Sequence, residues 1–287
     1  MFGGQGSPVL ALSINASELF ENFSFLTFLT NSAFVGLIVV GLIWFFAHKA
    51  TKKMTLIPSG AQNAFEFVVE FLYGQVESIV GPKVAPKAFP LLATLFLFIL
   101  IANWFGLMPG VGTMGFSEST KMMTVDSHAS DFRPLLRPAT ADLNMNLGMA
   151  LCFMLIWGWL TLSELGFMGF IKHTFGSKGG LKGFMGMFVA LIFLMVGLIE
   201  IVSIIFRPVS LSLRLFGNVY AGETLLHTMG SMLDGLGGIP AFLGSVALPL
   251  PFYFMEILVG ALQAMVFSLL CAVYIKLSTT HDEEHDH

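Results

Sequence analysis

Charge is what this sequence has least of. Asp, Glu, Lys and Arg make up 11% of 287 residues, against 55% hydrophobic residues, and the mean hydropathy is +0.81. No soluble core hides that much apolar surface, so a soluble enzyme is excluded and the chain is read as polytopic in a membrane. Cysteine is almost missing too. Cys152 and Cys271 lie far apart in apolar runs and match no metal or redox spacing, which leaves them as small core residues. There is no HExxH, so an intramembrane metallohydrolase has no support. A membrane subunit of a redox complex needs haem-ligating histidine pairs at bilayer depth, and only His227 falls inside a span. A secondary ion transporter would suit buried charges, yet no inverted repeat and no paired Gly/Pro-broken helices are present. These two remain the alternatives. No basic leader precedes a short apolar run with a small-residue cleavage site, so no removed signal peptide is expected.

The few charges are concentrated. The formal charge is −4, and much of it sits in loops and in the tail HDEEHDH, residues 281–287, which reads as solvated. Between the loops lie the spans. A first runs over about 28–47, close to the ~20 residues a hydrocarbon core requires, and ends at His48, Lys49, Lys52 and Lys53. Behind Pro58, Ser59 and Gln62 form an S-x-x-Q capping pattern that opens an amphipathic helix over 59–80. Phe65, Val68, Val69, Leu72, Val76 and Ile79 share one face of it, with Glu66, Glu70 and Glu77 on the other. Such a helix lies along the membrane surface or packs on a partner. A second span covers 89–108, and a polar loop of balanced charge follows to Ala141. Asp142, read as an N-cap, and Asn144 open a third span over 143–170. The connection from Lys172 to Lys182 is basic and has no acid. The positive-inside rule makes the two basic loops cytoplasmic and puts the N-terminus, residues 1–27, on the other side.

Two further segments are too long for ordinary spans. From Phe184 to Met229 the only strong breaker is Pro208, and at 1.5 Å per residue such a helix far exceeds the ~30 Å hydrocarbon thickness. The last segment, 240–277, has the same excess and carries Pro249 and Pro251 near its start. Single tilted, kinked helices over 184–229 and 240–277 are the expectation, with a cytoplasmic C-terminus; two separate crossings in the first are the alternative. The fold class is therefore all-α polytopic membrane protein, one domain of about five crossings plus a surface amphipathic helix, the last two helices long and strongly tilted.

Helical spacing gathers the polar residues of these two helices into faces. Glu200, Arg207 and Arg214 are seven apart, so each is rotated only ~20° from the last, with Ser203, Ser210 and Asn218 beside them. Glu223 lies nine residues beyond Arg214, roughly half a turn away at ~100° per residue, and His227 follows one turn later. On the last helix Glu256, Gly260 and Gln263 share a face that can meet the Glu223 surface. Bland readings exist for some of these. Arg207 beside Pro208 can simply cap or snorkel. The serines suit helix packing, and Asn218 and Gln263 suit an interhelical hydrogen bond. Asn103 and Asp142 lie near span ends, where polar groups cost little. Arg214, Glu223 and Glu256 resist such readings, because a charge at bilayer depth costs ~2.5–3.5 kcal/mol or more. Two carboxylates in one aqueous crevice would titrate as a pair and suit proton hand-off, with the imidazole of His227 as a third group. Arg214 stays protonated and cannot relay protons itself. It can hold a facing carboxylate ionised and block a leak, and its own helix offers no acid at the next turn.

The stretch Ser210 to Glu223, SLSLRLFGNVYAGE, resembles the signature of subunit a of the rotary F-type ATP synthase. The likeness extends to Glu200, the Arg207-Pro208 pair, LQAMVF from Leu262 to Phe267, DLNMNL at the start of the third span and the amphipathic helix after the first. The resemblance implies a non-catalytic stator subunit of the H+-transporting ATPase, without cofactor or metal. Its implied partners are a ring of c subunits, beside which the two long helices lie, and peripheral-stalk b-type subunits; a bacterial inner membrane is the implied home. It also implies that Arg214 faces the ring carboxylates and separates two offset aqueous half-channels. Asn218 then lies beside it, Glu223, Glu256 and Gln263 line proton paths, and Glu200 and His227 are further path candidates. One departure stands out. Members of that family commonly pair a histidine with a glutamate at the positions matching Glu223 and Glu256, whereas both are Glu here.

Overall fold

The computed structural model describes residues 30–52, 54–108, 111, 115–117, 123–124, 132–134, 136–175, 184–232, 244 and 246–279. The first two residues of the expected first span, the N-terminal segment, most of the basic connection and the acidic tail lie outside them. Among the described residues there are six long helices: α1 (Asn31–Thr51), α2 (Ala61–Val80), α3 (Ala85–Gly106), α4 (Leu143–Phe175), α5 (Phe184–Ser231) and α6 (Leu250–Thr279). Between α3 and α4 stand three short antiparallel strands, β1 (Gly115–Ser117), β2 (Met123–Thr124) and β3 (Phe132–Pro134), ordered β2-β1-β3, and a 3-10 turn, Ala139–Ala141. Apart from that small sheet, the protein is an all-helical polytopic membrane protein. Among the described residues Asn31–Thr51, Ala85–Gly106, Leu191–Gly230 and Leu250–Leu277 are long and apolar enough to cross a membrane, with a shorter apolar helix at Leu143–Trp159. Their outer faces fit that solvent: Leu37 and Phe45 on α1 and Ile199, Ile205 and Phe206 on α5 are all more than half exposed.

Local chemistry explains where the helices start and stop. Thr30 caps α1 by accepting a 3.2 Å bond from the Ala33 N–H. Asp142 does the same for α4, its Oδ1 accepting from the Asn144 N–H at 3.0 Å. At α2 the capping pattern expected of Ser59 and Gln62 is not used: the helix begins after Gly60, at φ 58°, with no side-chain cap. The reason is a competing partner. Gln62 turns back to the preceding loop, where its Oε1 accepts from the Thr55 N–H at 3.1 Å and its Nε2 donates to the Thr55 carbonyl at 2.9 Å. α4 is interrupted at Gly166, whose φ of 69° only glycine adopts without strain.

The long helices differ in how they take their prolines. α5 runs through Pro208 as one element of 48 residues, about 72 Å at 1.5 Å per residue. The last helix begins at Leu250 and not at residue 240, because a turn at 248–249 interrupts the chain. Pro249 and Pro251 sit at its start, where the missing N–H groups have no helical acceptor to lose.

The core lies where α2, α3, α4, α5 and α6 meet. Leu72 and Val76 of α2, Leu92 and Ile99 of α3, Phe153 of α4, Leu215 of α5 and Phe267 of α6 form one buried cluster. The apolar face of α2 is thus buried within the chain. Tyr73 meets Phe89 edge to face, with ring centroids 5.3 Å apart. A second cluster joins Val35 and Val39 of α1, Ala102 of α3 and Ala139 of the 3-10 turn. Gly106 lets the turn approach closely, since a Cβ there would stand 2.6 Å from Pro138 Cγ.

Candidate functional site

The inner face of α5 is set by Leu211, Ser212 and Leu215, all at most 2% exposed, so the residues between them face outward. Arg214 is one of these. It lies on the exposed surface with Ser210, Leu213, Gly217 and Ala221, and a Cβ on Gly217 would meet nothing within 4 Å. The guanidinium therefore stands on a face of small and apolar residues. Among the described residues it forms no ion pair.

One turn on, Asn218 joins α5 to α6: its Nδ2 donates to Gln263 Oε1 at 2.7 Å. Gln263 is buried, and its Nε2 has no hydrogen-bond partner among the described residues. A second junction lies at Gly222, whose missing side chain makes room for the Glu256 carboxyl group; any Cβ at that glycine would collide with it. The close approach brings Glu256 onto the α5 backbone immediately beside Glu223. Glu223 is half-buried, and its Oε2 has no hydrogen-bond partner among the described residues. The α6 side of this arrangement is held from α3. Asn103 donates to the Gly260 carbonyl at 3.2 Å and Trp104 to the Ile257 carbonyl at 3.1 Å. α6 is thus gripped between Glu256 and Gln263.

The expected stripe of Glu200, Arg207 and Arg214 is not one surface. Glu200 is half-buried, while the Arg207 guanidinium turns into the bundle, 4.6 Å from the centroid of the Tyr274 ring and 5.6 Å from that of Trp157. Trp157 in turn donates its indole N–H to the Tyr274 carbonyl at 3.0 Å. Cation–π attraction in a half-buried setting explains the inward turn. His227 is exposed one turn beyond Glu223.

Three features of the site were not read from the sequence. Asn103, placed near a span end as an inexpensive polar group, is 7% exposed and bonded across helices. Gly222 looks like any other helical glycine until α6 is packed on it. Arg137 is hidden in a loop of balanced charge, yet it is buried, donates to the Ala141 carbonyl at 3.1 Å and acts on both Glu223 and Asp142. Burial pushes the Asp142 carboxyl above its usual range, against the opposing effects of the Asn144 N–H and Arg137. The only available signal for Arg137 was its position five residues before the N-cap of a span.

Two apolar helices of abnormal length, tied together by polar side chains within spans long enough to cross a membrane and bearing an outward arginine unpaired among the described residues, define an ion-handling membrane subunit rather than a passive anchor. Comparison with known proteins supplies the particular kind. A family model described as ATP synthase A chain matches residues 30–276. ATP synthase subunit a of Mycobacterium ulcerans is 31% identical over 255 residues, covering 89% of this chain and 87% of that protein. Subunit a of Protochlamydia amoebophila is 32% identical over 250 residues, covering 86% and 80%. Subunit a of Solidesulfovibrio magneticus is 32% identical over 286 residues, covering 98% of this chain and 99% of its own length. The chain belongs to the ATP synthase A chain family.

Proposed function

We propose that the α5–α6 seam carries two offset aqueous half-channels that load and unload carboxylates on a rotating ring of neighbouring subunits, with Arg214 between them. Family membership makes the chain the proton-translocating subunit of the membrane sector of an F-type ATP synthase. The observation that carries the finer reading is the bare Arg214 guanidinium on an exposed face of small residues, one turn from the polar bridge between Asn218 and Gln263.

Each residue then has a task. A proton reaching Glu223 and Glu256 moves on toward the exposed face along the polar seam that the Asn218–Gln263 bridge holds in place, and there neutralises a ring carboxylate. The neutral carboxylic acid can turn into lipid, since only the charged form pays the full desolvation cost. After nearly a full turn it discharges on the other side, near Glu200. Arg214, charged at every physiological pH, pairs with the empty carboxylate between these events and repels a proton crossing directly from one half-channel to the other. The membrane potential contributes ~2.3 kcal/mol per charge per 100 mV. With Glu at both 223 and 256 the relay has two carboxylates, and the imidazole of His227, one turn beyond Glu223, is a third candidate group. The subunit catalyses no covalent chemistry and requires no cofactor. The surface around α2 is assigned to peripheral-stalk subunits, and the whole to a bacterial inner membrane with the N-terminus outside and the C-terminus in the cytoplasm, by the basic loops after α1 and α4.

Arg214→Ala tests this reading. ATP-driven proton pumping by the assembled complex should vanish, while the detached catalytic head still hydrolyses ATP. Retained pumping would refute it.

A further inference from the structure

Exposed apolar side chains on the helices are what a bilayer asks for, but three others stand where no span explains them. In the loop between α1 and α2, Leu56 is fully exposed, Ile57 is 85% exposed and Met54 69%. They follow His48, Lys49 and Lys52, the cations that close α1, so they stand beyond the point where that span reaches the headgroups. Their exposure is built in. Gln62, itself only 8% exposed, grips the loop at Thr55, its Oε1 accepting from the Thr55 N–H at 3.1 Å and its Nε2 donating to the Thr55 carbonyl at 2.9 Å. The Thr55 hydroxyl donates to the Ile57 carbonyl at 2.9 Å and closes the turn around Leu56. A bonded loop that holds three apolar side chains in the open marks an interaction surface.

Two rings place that surface at the membrane–water boundary. The Phe46 ring of α1 meets Phe65 in the second turn of α2, with centroids 6.3 Å apart, so α2 turns back to the apolar end of α1 instead of leading away from it. Trp44, 68% exposed, stacks on His48 with ring centroids 5.5 Å apart, and exposed tryptophan beside a helix end is the mark of the headgroup level. The charge of the corner has one sign. No Asp or Glu occurs from Asn31 to Phe65, and the first acid beyond, Glu66, accepts from Gln62 Nε2 at 2.7 Å. Cations next to an apolar loop at this depth match an anionic phospholipid, whose phosphate takes the ammonium groups and whose acyl chains take the apolar side chains. The exposed Glu70 lies further along α2, where a basic protein partner is better served.

We infer that the α1–α2 corner is a docking site for anionic phospholipid, with Lys49 and Lys52 holding the headgroup phosphate and Met54, Leu56 and Ile57 seated among the upper acyl chains. The site is separate from the α5–α6 seam and fixes the depth of the first two helices.

The assembled complex in lipid nanodiscs provides the test. Phosphatidylglycerol and phosphatidylcholine carrying the same photoactivatable acyl chain are supplied in turn at equal, low mole fraction, and cross-linked residues are mapped by mass spectrometry. Labelling of residues 48–57 should be several-fold greater with phosphatidylglycerol. The double variant Lys49→Gln, Lys52→Gln should bring it down to the phosphatidylcholine level, with labelling elsewhere in the complex unchanged. Equal labelling by the two lipids in the unaltered protein, or a preference that survives both substitutions, would overturn the site. A second measurement reads insertion of the loop. Cys152→Ser and Cys271→Ala remove the native thiols, and Leu56→Cys then carries an environment-sensitive fluorophore. Its emission should be quenched several-fold by brominated acyl chains in vesicles containing phosphatidylglycerol. A fluorophore that stays in water, or one shielded from the bromines by a neighbouring subunit, would contradict the proposal, the second outcome giving the corner to a protein partner.

Discussion

Arg207 and Arg214 stand seven residues apart on the same helix, yet their surroundings have almost nothing in common. Arg207 is half-buried, clasped by the Trp157 and Tyr274 rings, and those two residues are themselves hydrogen bonded. Arg214 is exposed beside Ser210, Gly217 and Ala221, with neither ring nor acid among the described residues to occupy it. The difference separates two uses of an expensive charge. A cation that only holds helices together is satisfied within the chain, by the aromatic faces that α4 and α6 bring to it. On the proposed function, Arg214 is left unsatisfied for a moving partner, and the small residues around it keep the space that the partner needs.

The largest expected effect breaks that comparison outright. Arg214→Ala should abolish coupled proton pumping, whereas Arg207→Ala should keep coupling and lose about 1–2 kcal/mol of helix packing, seen as a lower melting temperature of the detergent-extracted subunit assembly. Equal loss of pumping in both variants would erase the distinction. Next comes the double variant Glu223→Gln, Glu256→Gln, which keeps shape and removes both titrating groups; vesicle acidification rates should fall many-fold, and more than in either single variant. A smaller change is expected for Gly222→Ala, because the new methyl group must displace the Glu256 carboxyl group from its place beside Glu223. Flux should drop several-fold while assembly with partner subunits is retained. Asn103→Leu removes the bond to Gly260, worth about 1 kcal/mol, and should loosen α6 between Glu256 and Gln263, measurable as slower flux with normal complex yield. The smallest effect sharpens the comparison from the other side. Arg207→Lys keeps the charge but gives up planar stacking, so it should cost well under 1 kcal/mol and leave pumping intact.

The contrast also marks how much was legible in the sequence. Composition and hydrophobic runs are enough for an all-helical membrane protein, because every backbone group in a bilayer must be satisfied within helices. Heptad spacing put Arg207 and Arg214 on one face, but spacing carries no information about what packs against a face. The aromatic rings that capture Arg207 come from positions 157 and 274, remote in sequence. Gly222 and Asn103 were opaque for the same reason, since their meaning arises only when α6 lies against α5 and α3. The start of α2 was misread because Gln62 found a better partner in Thr55 than in the cap of its own helix. The last helix starts later than its apolar run, because the segment containing Pro249 forms a turn. Arg137 needed the loop to fold back on α5 before its charge could matter to Glu223.

The central claim of the proposed function is that Arg214, unpaired among the described residues of its own chain, has its partner on another. A density map of the assembled membrane complex tests it most directly. The account predicts a membrane-embedded carboxylate of a neighbouring helix opposite the Arg214 guanidinium, with Ser210 and Gly217 lining the gap between them. Arg214 found against lipid, or paired with an acid of its own subunit while the complex is intact, would contradict it.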